Sequence, residues 1–348
     1  MHALSFVRRD PAADVLVVTN MWPEPDRPVY GIHVRRQVES LIAAGLCCEI
    51  VYVRGYESPL AYPLAALSFL TWSVTRRRRY KLVHVYTAEA ALAARFYLGA
   101  PMIATYLGDD LLGDRRADGT ISMKARLRAR LLRAHARLMT RSVVVSGVMQ
   151  RALPPAARAR SSVIPQGIDS SVFRPQEKAK AREAFGWQVG EKVALFAATK
   201  PHSPAKRLWL AEEACARASE SVGPVRLHVA AGVDPETIPL LMNASDCLLV
   251  TSAVEGSPNV VKEALMCNLP VVSTPAGDID ELLAGVEPSW LVPPVVEELA
   301  VALVECLSRG GRSNGREAAA ELDERLIAKR IVALYREVAD VRTGSPAV

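Results

Sequence analysis

The sequence predicts an α/β protein built of two Rossmann-like halves, and three observations carry that prediction. Short apolar runs, Val15-Leu16-Val17-Val18 and Val193-Ala194-Leu195-Phe196-Ala197, open the two halves, and each leads through a loop into a helical pattern. A strand–loop–helix–strand order follows both, as a parallel sheet with crossover helices requires. The chain has 348 residues, 50% of them hydrophobic, which is enough for two cores.

In the first half, Val15 to Val18 ends in Thr19-Asn20, and a loop with Pro23, Pro25 and Pro28 follows. Gly31 then precedes a helix over residues 32–43 that Gly45 stops. Cys48 to Val53 is the next strand, and 81–86 and 102–106 are two more. The uncharged stretch Ser58–Thr75 is roughly the shortest that spans a bilayer, but Pro59, Pro63 and its place in an α/β alternation favour an amphipathic helix. Between Arg115 and Arg141 lies a basic helix carrying Lys124, Arg126, Arg128, Arg130, Arg133 and Arg137, with Leu127, Leu131, Leu132 and Leu138 as its expected inner stripe. Its basic side is either a solvated face or a contact for anionic lipid. Nucleic acid is not expected, because no aromatic residues interleave the arginines. Ser142 to Ser146 is a further strand, and the segment 161–175 follows it.

The second half adds a turn through Pro201, Ser203 and Pro204 to Lys206-Arg207, a strand over 225–229 and a short helix over 238–246. The chain is then organised around residues 247–265. Cys247 to Val250 is a buried strand ending in Thr251-Ser252; Ser257 is expected to cap the following helix, with Pro258 in its first position. The first free amides of that helix belong to Asn259 and Val260, and such an end favours an anion, typically a phosphate. Glu255 and Glu263 are eight positions apart, about 800° on a helix, so they share no helical face. With Glu255 in the loop and Glu263 about one turn down, two acidic acceptors flank an anion site. A nucleotide sugar, charged in the middle and hydroxylated at its ends, fits that arrangement. Pro270 to Thr274 makes another strand, and a final amphipathic helix runs over 328–338.

The whole string from Val250 to Leu265 resembles the Glu-x7-Glu signature of the retaining GT-B glycosyltransferases of the large family 4, of the bacterial cell-surface polysaccharide type. The runs Gly31-Ile32-His33-Val34, Ile164-Pro165-Gln166-Gly167-Ile168-Asp169, Gly277-Asp278 and Leu291-Val292-Pro293-Pro294 resemble the same family. The resemblance implies two Rossmann-like domains facing across a cleft: 1–172 for the acceptor, joined by a C-terminal helix at 327–342, and 173–326 for the nucleotide sugar. It implies that Glu263 holds the ribose hydroxyls, that Glu255 contacts the donor sugar, and that Gly256, Ser257, Asn259, Val260 and Gly31 line the donor. A basic pair after the second domain's first strand, here Lys200 and Lys206 with Arg207 as a substitute, is expected to grip the diphosphate. The expected activity is transfer of a sugar from a UDP- or GDP-type donor with retention of configuration. The acceptor would be a carbohydrate or lipid-linked.

Where many relatives have a histidine near the donor sugar, this chain has Leu107, which neither donates nor accepts a hydrogen bond. Asp110, beside Asp109, is the candidate to replace it. The alternative is a catalytically weak sugar-nucleotide-binding protein of the same fold. A dehydrogenase is disfavoured, since no Gly-x-Gly-x-x-Gly follows Val15–Val18. No metal is expected, because Asp109-Asp110 has no partner at ligand spacing. The six scattered cysteines fit a reduced, cytoplasmic protein, as does the lack of a secretory pattern. Net charge of +6 leaves open a peripheral place on the inner face of the membrane, against an anionic surface.

Overall fold

The structure is a computed structural model whose described residues are 3–75, 79–113 and 120–341. The chain divides at Gly167–Ile168 and again at Asp323–Glu324, so the first unit takes back the last helix, Glu324–Val338.

The first unit is a seven-stranded sheet. Its strands are β1 (Leu4–Arg8), β2 (Val15–Thr19), β3 (Cys48–Val53), β4 (Leu82–Tyr86), β5 (Met102–Tyr106), β6 (Arg141–Val144) and β7 (Ser161–Val163), in the order β1-β3-β2-β4-β5-β6-β7. β1 pairs antiparallel with β3 and all other pairings are parallel. The sequence gives little sign of β1, a half-exposed edge strand with no continuous apolar run. Helices α1 (Ile32–Ala43), α2 (Ala61–Thr75), α3 (Ala88–Ala94), α4 (Asp109–Leu112), α5 (Met123–His135), α6 (Gly147–Ala152) and α7 (Pro155–Arg158) complete the unit. On one face of the sheet Phe69 of α2, Ala91 of α3 and Leu132 of α5 share a core with Leu16 and Val85. On the other, Val34 and Leu41 of α1 pack with Ile331 and Tyr335 of the C-terminal helix.

Two expectations about these helices are corrected. Residues 61–75 are helical, but α2 is not amphipathic: it has no charged residue on any side. In α5 the inner residues are Ala129, Leu132 and His135, whereas Leu127 and Leu131 are 57% and 62% exposed and Leu138 beyond the helix is exposed too. Small alanines let α5 approach its neighbours, and the leucine stripe faces outward. Of the arginine run at 76–79, residues 76–78 lie outside the described residues; Arg79 is exposed.

The second unit is a five-stranded parallel sheet of β8 (Lys192–Ala197), β9 (Val225–Ala230), β10 (Cys247–Val250), β11 (Val271–Ser273) and β12 (Ser289–Leu291), in the order β12-β11-β10-β8-β9. Its helices are α8 (Lys178–Glu183), α9 (Leu208–Val222), α10 (Ile238–Ala244), α11 (Asn259–Met266), α12 (Ile279–Leu283), α13 (Val296–Arg309) and α14 (Gly315–Ala318). α9 and α13 cover one face through Leu210, Ala214, Leu299 and Leu303. α11 covers the other through Val261, Ala264 and Leu265.

Both sheets are wound alike. β2 lies between β3 and β4, and β8 lies between β9 and β10, so each sheet reverses direction beside the strand that opens it. In a doubly wound sheet, ligands bind beyond the carboxyl ends of the strands at that reversal.

Candidate functional site

In the second unit the loops leaving β8 and β10 meet at the reversal. Ser203 precedes a single 3-10 turn, Pro204–Lys206, and Arg207 follows in the left-handed conformation at φ 48°. A non-glycine residue adopts that region at a cost, so the turn is held by its surroundings. Thr251 Oγ1 donates toward the carbonyls of Lys206 and Arg207, at 2.8 and 2.9 Å, and Ala253 N–H donates to Ala205 O at 2.7 Å. Arg207 Nε donates to Thr251 O at 2.7 Å, while its NH2 group reaches Ser252 O at 2.8 Å and Thr274 Oγ1 at 3.3 Å. With this latch in place, Lys206 Nζ stands 2.5 Å from Glu255 Oε1.

Lys206 and Glu255 are thus brought together, and Arg207 turns out to hold the two loops. Its guanidinium bonds to backbone carbonyls, so it positions Lys206. Lys200 is exposed in the turn after β8.

The helix end differs from expectation in one detail. Pro258 is the N-cap of α11, no side chain caps it, and Ser257 stays in the loop with Gly256. A proline leaves the loop extended, at φ −70° and ψ 115°, so Ser257 is not placed to reach the second or third amide. Val261 N–H bonds back to Pro258 O at 3.2 Å, ahead of which stand the amides of Asn259 and Val260. Glu263 is half-buried just beyond the first turn.

Sequence reasoning missed what lies beneath. Lys262, between two acidic signature positions, has no solvent exposure. Burial pulls its ammonium down to about 8, against the attraction of Asp278 and Glu263. Asp278 is 5% exposed, and burial pushes its carboxyl up to about 6 against the pull of Lys262. The residue before it, Gly277, sits at φ 61°, and a Cβ there would lie 2.8 Å from Glu255 O. The backbone carrying Glu255 is therefore wedged between Gly277 and the Lys206 turn.

The first unit has its own polar group at the reversal. Asn20, just past β2, accepts from Thr87 Oγ1 at 2.7 Å and donates to Tyr62 OH at 2.8 Å. Thr87, just past β4, has φ 81°, an outlier for a β-branched residue. Strain of that kind survives where the surroundings over-determine it, and it clusters at ligand sites. Gly31 lies close by in sequence order after the same loop, at φ 74°; a Cβ there would fall 2.4 Å from the Met21 carbonyl carbon, so the position admits only glycine. Asp110 is buried beneath this group. Its carboxylate accepts from the amides of Gly108 and Leu111, both at 3.0 Å, of Ala88 at 3.3 Å and of Leu107 at 3.4 Å. Burial and the nearby Glu89 push it up to about 6. Those bonds make Asp110 a tie between β4, β5 and their loops. Leu107 packs against both cores of the sheet. His84 is wholly buried and its ring nitrogens are held by Tyr335 and Thr105.

Among the described residues no helix is long and apolar enough to cross a membrane, and no group of three His, Cys, Asp or Glu is placed to hold a metal ion.

Comparison with known proteins agrees with this architecture. Residues 2–172 match the family model Glycosyltransferase Family 4, and residues 193–309 match Glycosyl transferases group 1. A D-inositol 3-phosphate glycosyltransferase of Mycobacteroides abscessus is 28% identical over 191 residues, a match covering 46% of this chain and 42% of that protein. The chain therefore spans less than half the length of that relative. Among solved structures, sucrose-phosphate synthase from Thermosynechococcus elongatus superposes with a TM-score of 0.71 at 17% identity, covering 93% of this chain and 98% of that one. Anabaena HepE in complex with UDP-glucose gives 0.70 at 19% identity, covering 93% and 99%. The two halves of this chain carry glycosyltransferase domains of the family 4 and group 1 type on a GT-B fold.

Proposed function

We propose that the protein transfers a sugar from a nucleoside-diphosphate donor to an acceptor hydroxyl with retention of configuration. The observation that carries this reading is the Lys206–Glu255 pair, latched at the reversal of the second sheet, with Glu255 in the loop that leads into the N-terminal end of α11. Donor binding falls to this unit. Glu263 accepts the ribose hydroxyls, the Asn259 and Val260 amides and Lys206 take the diphosphate, and Glu255 meets the sugar, with Gly256 and Ser257 beside it. Lys200 closes on the phosphates from its exposed turn. HepE, which is known in complex with UDP-glucose, supports a UDP-type donor.

In the step itself the bond from the anomeric carbon to the β-phosphate oxygen breaks and a bond to the acceptor oxygen forms on the same face. The acceptor proton passes to the departing phosphate. Charge grows on that phosphate in the transition state, and a fixed ammonium nearby stabilises it more than the ground state. Lys206 performs this work, and a divalent metal is not required.

The acceptor belongs to the first unit, near Asn20, Thr87 and Tyr62. We place it among carbohydrates or lipid-linked sugars, met at the cytoplasmic face in cell-surface polysaccharide synthesis. Leu107 keeps a second reading in view, a sugar-nucleotide binder with weak turnover, because no histidine stands at that point. The deciding experiment screens UDP- and GDP-sugars by thermal shift, then follows donor cleavage with and without EDTA. A donor that stabilises the protein and is cleaved in EDTA supports the transferase. Stabilisation without cleavage selects the binder, and turnover only with magnesium or manganese removes the lysine mechanism.

A further inference from the structure

The outer surface of the first unit's helical face is apolar in a way its own core does not explain. α2 lies on α3, α3 on α5, and all three have already buried an inner side against the sheet. Their other sides still carry leucines. Leu64, Leu67 and Val74 project from α2 at helical spacing, and Met123, Leu127 and Leu131 from α5 at every fourth residue. Leu92 and Phe96 stand between them, and all eight are 42–77% exposed. Scattered exposed leucines are ordinary, but eight large apolar side chains exposed along helices packed side by side mark an interaction surface.

A second observation concerns the polar groups of α2. Its hydroxyls are turned inward along the helix: Ser68 donates to Leu64 O at 3.0 Å, Thr71 to Leu67 O at 2.7 Å, Ser73 to Phe69 O at 2.9 Å and Thr75 to Thr71 O at 2.7 Å. A hydroxyl facing water gains little from such a bond, whereas in an apolar medium it removes an otherwise unsatisfied donor. Fifteen helical residues without a single charge thus offer a surface with its donors already satisfied. At 1.5 Å per residue α2 is about 22 Å long, too short to cross a bilayer.

The rim fixes the chemistry of the partner. Lys124, Arg126 and Arg130 flank the α5 stripe and are exposed, as are Arg95 at the end of α3 and Arg79, four positions after α2 in the sequence. The one acidic residue of these three helices, Glu89, is already paired with Arg128. Apolar side chains bounded by bases with no free acid complement a surface that is oily beneath and negative at its boundary.

We propose that the α2–α3–α5 face docks on an anionic lipid bilayer, lying in the interface with its leucines among the acyl chains and its bases at the headgroups. The binding has two components of different salt sensitivity. Attraction of the bases to headgroups is screened, while burial of the leucines is not. The surface belongs to the first unit and the proposed donor loops to the second, so the inference adds to the transferase reading and stands without it.

The test sediments the full chain, with no donor present, with vesicles of phosphatidylcholine alone and with 30% phosphatidylglycerol. Binding is expected with the anionic vesicles in 0.1 M salt, weakened but retained at 0.5 M. Leu127→Ser/Leu131→Ser should lower the partition coefficient about tenfold at both salt concentrations, and Lys124→Ser/Arg126→Ser/Arg130→Ser should lower it at low salt alone. Both variants alter exposed side chains, and an unchanged melting temperature checks their fold. A fluorophore on Leu127→Cys should shift to the blue with anionic vesicles, while one on exposed Lys329→Cys of the C-terminal helix should not. Protein that stays in the supernatant, equal binding to both vesicles, or equal shifts of both labels overturns the proposal. So does a concentration-dependent dimer abolished by Leu127→Ser/Leu131→Ser, which would make the face a self-association surface. Any of these results leaves the donor chemistry untouched.

Discussion

Lys206 Nζ meets Glu255 Oε1 at 2.5 Å, and the contact joins the loop after β8 to the loop after β10. The pair is only partly exposed, with side chains at 29% and 15%, and the turn beneath it is fixed by Arg207 and Thr251. If Lys206 stabilises the leaving phosphate, its effect belongs to the transition state. Lys206→Ala should then lower kcat by about a hundredfold or more with a smaller change in KM. Arg207→Lys should act indirectly, since lysine cannot fork between the Thr251 and Ser252 carbonyls. It should cut kcat less than Lys206→Ala and lower the melting temperature as well. Steady-state kinetics beside thermal unfolding separate the two; equal kinetic losses with equal melting temperatures would sink the distinction.

If Glu263 holds the ribose, as proposed, its effect belongs to binding alone. Each charge-assisted bond from a ribose hydroxyl to its carboxylate contributes about 1.5–3 kcal/mol. Glu263→Gln is expected to weaken the free nucleoside diphosphate and the sugar nucleotide by the same factor, about tenfold to a hundredfold. Calorimetric titration with both ligands reads this directly. A variant that loses only the sugar nucleotide would move Glu263 from the ribose to the sugar.

Lys262 and Asp278 are both buried, and each favours the charged form of the other. Removing one member strands the other in a dry site, at a cost of about 3–5 kcal/mol, whereas replacing both with apolar residues is far less costly. Lys262→Met and Asp278→Leu should each destabilise the protein strongly, and the double variant by much less than their sum. Urea unfolding of the four proteins measures the coupling. Additive losses would show that the two side chains do not act as a pair.

The strand–loop–helix order at residues 247–266 was legible from sequence because its signal is chemical: an apolar strand, a loop glutamate, Pro258 and a second glutamate leave few arrangements open. The order of elements was legible for a similar reason, since buried parallel strands such as Val15–Thr19 and Cys247–Val250 are continuous apolar runs. Orientation was not. α5 has apolar residues on two sides, and spacing alone cannot tell whether the alanines or the leucines face the core. The same limit hid Lys262, which a pattern reader places in water, and the cap of α11, where ψ at Pro258 decides what Ser257 reaches. Asn20 and Thr87 are 67 residues apart and meet only because the sheet reverses beside β2.

His84 ties the C-terminal helix to the first sheet, and its protonation should report on that tie. It lies on β4 with no solvent exposure; Nδ1 meets Tyr335 OH, and Nε2 meets Thr105 Oγ1 at 2.7 Å. Both partners are hydroxyls that donate or accept, so the neutral ring is satisfied in either tautomer. Burial pulls its pKa from 6.5 to about 3. Between those values the unfolded chain holds a proton that the folded protein lacks, and acid therefore favours unfolding. The stability that neutral His84 supplies is complete above pH 6.5 and is lost progressively as the pH falls toward 3. Tyr335→Phe should cost about 1–3 kcal/mol at neutral pH, the penalty of leaving a buried ring nitrogen without its partner. His84→Leu removes the titration itself, so its unfolding free energy should fall less steeply than the wild type's between pH 6.5 and pH 4. Urea unfolding across that range decides the matter: parallel slopes in the two proteins would mean that other groups carry the acid sensitivity and that His84 is not its source.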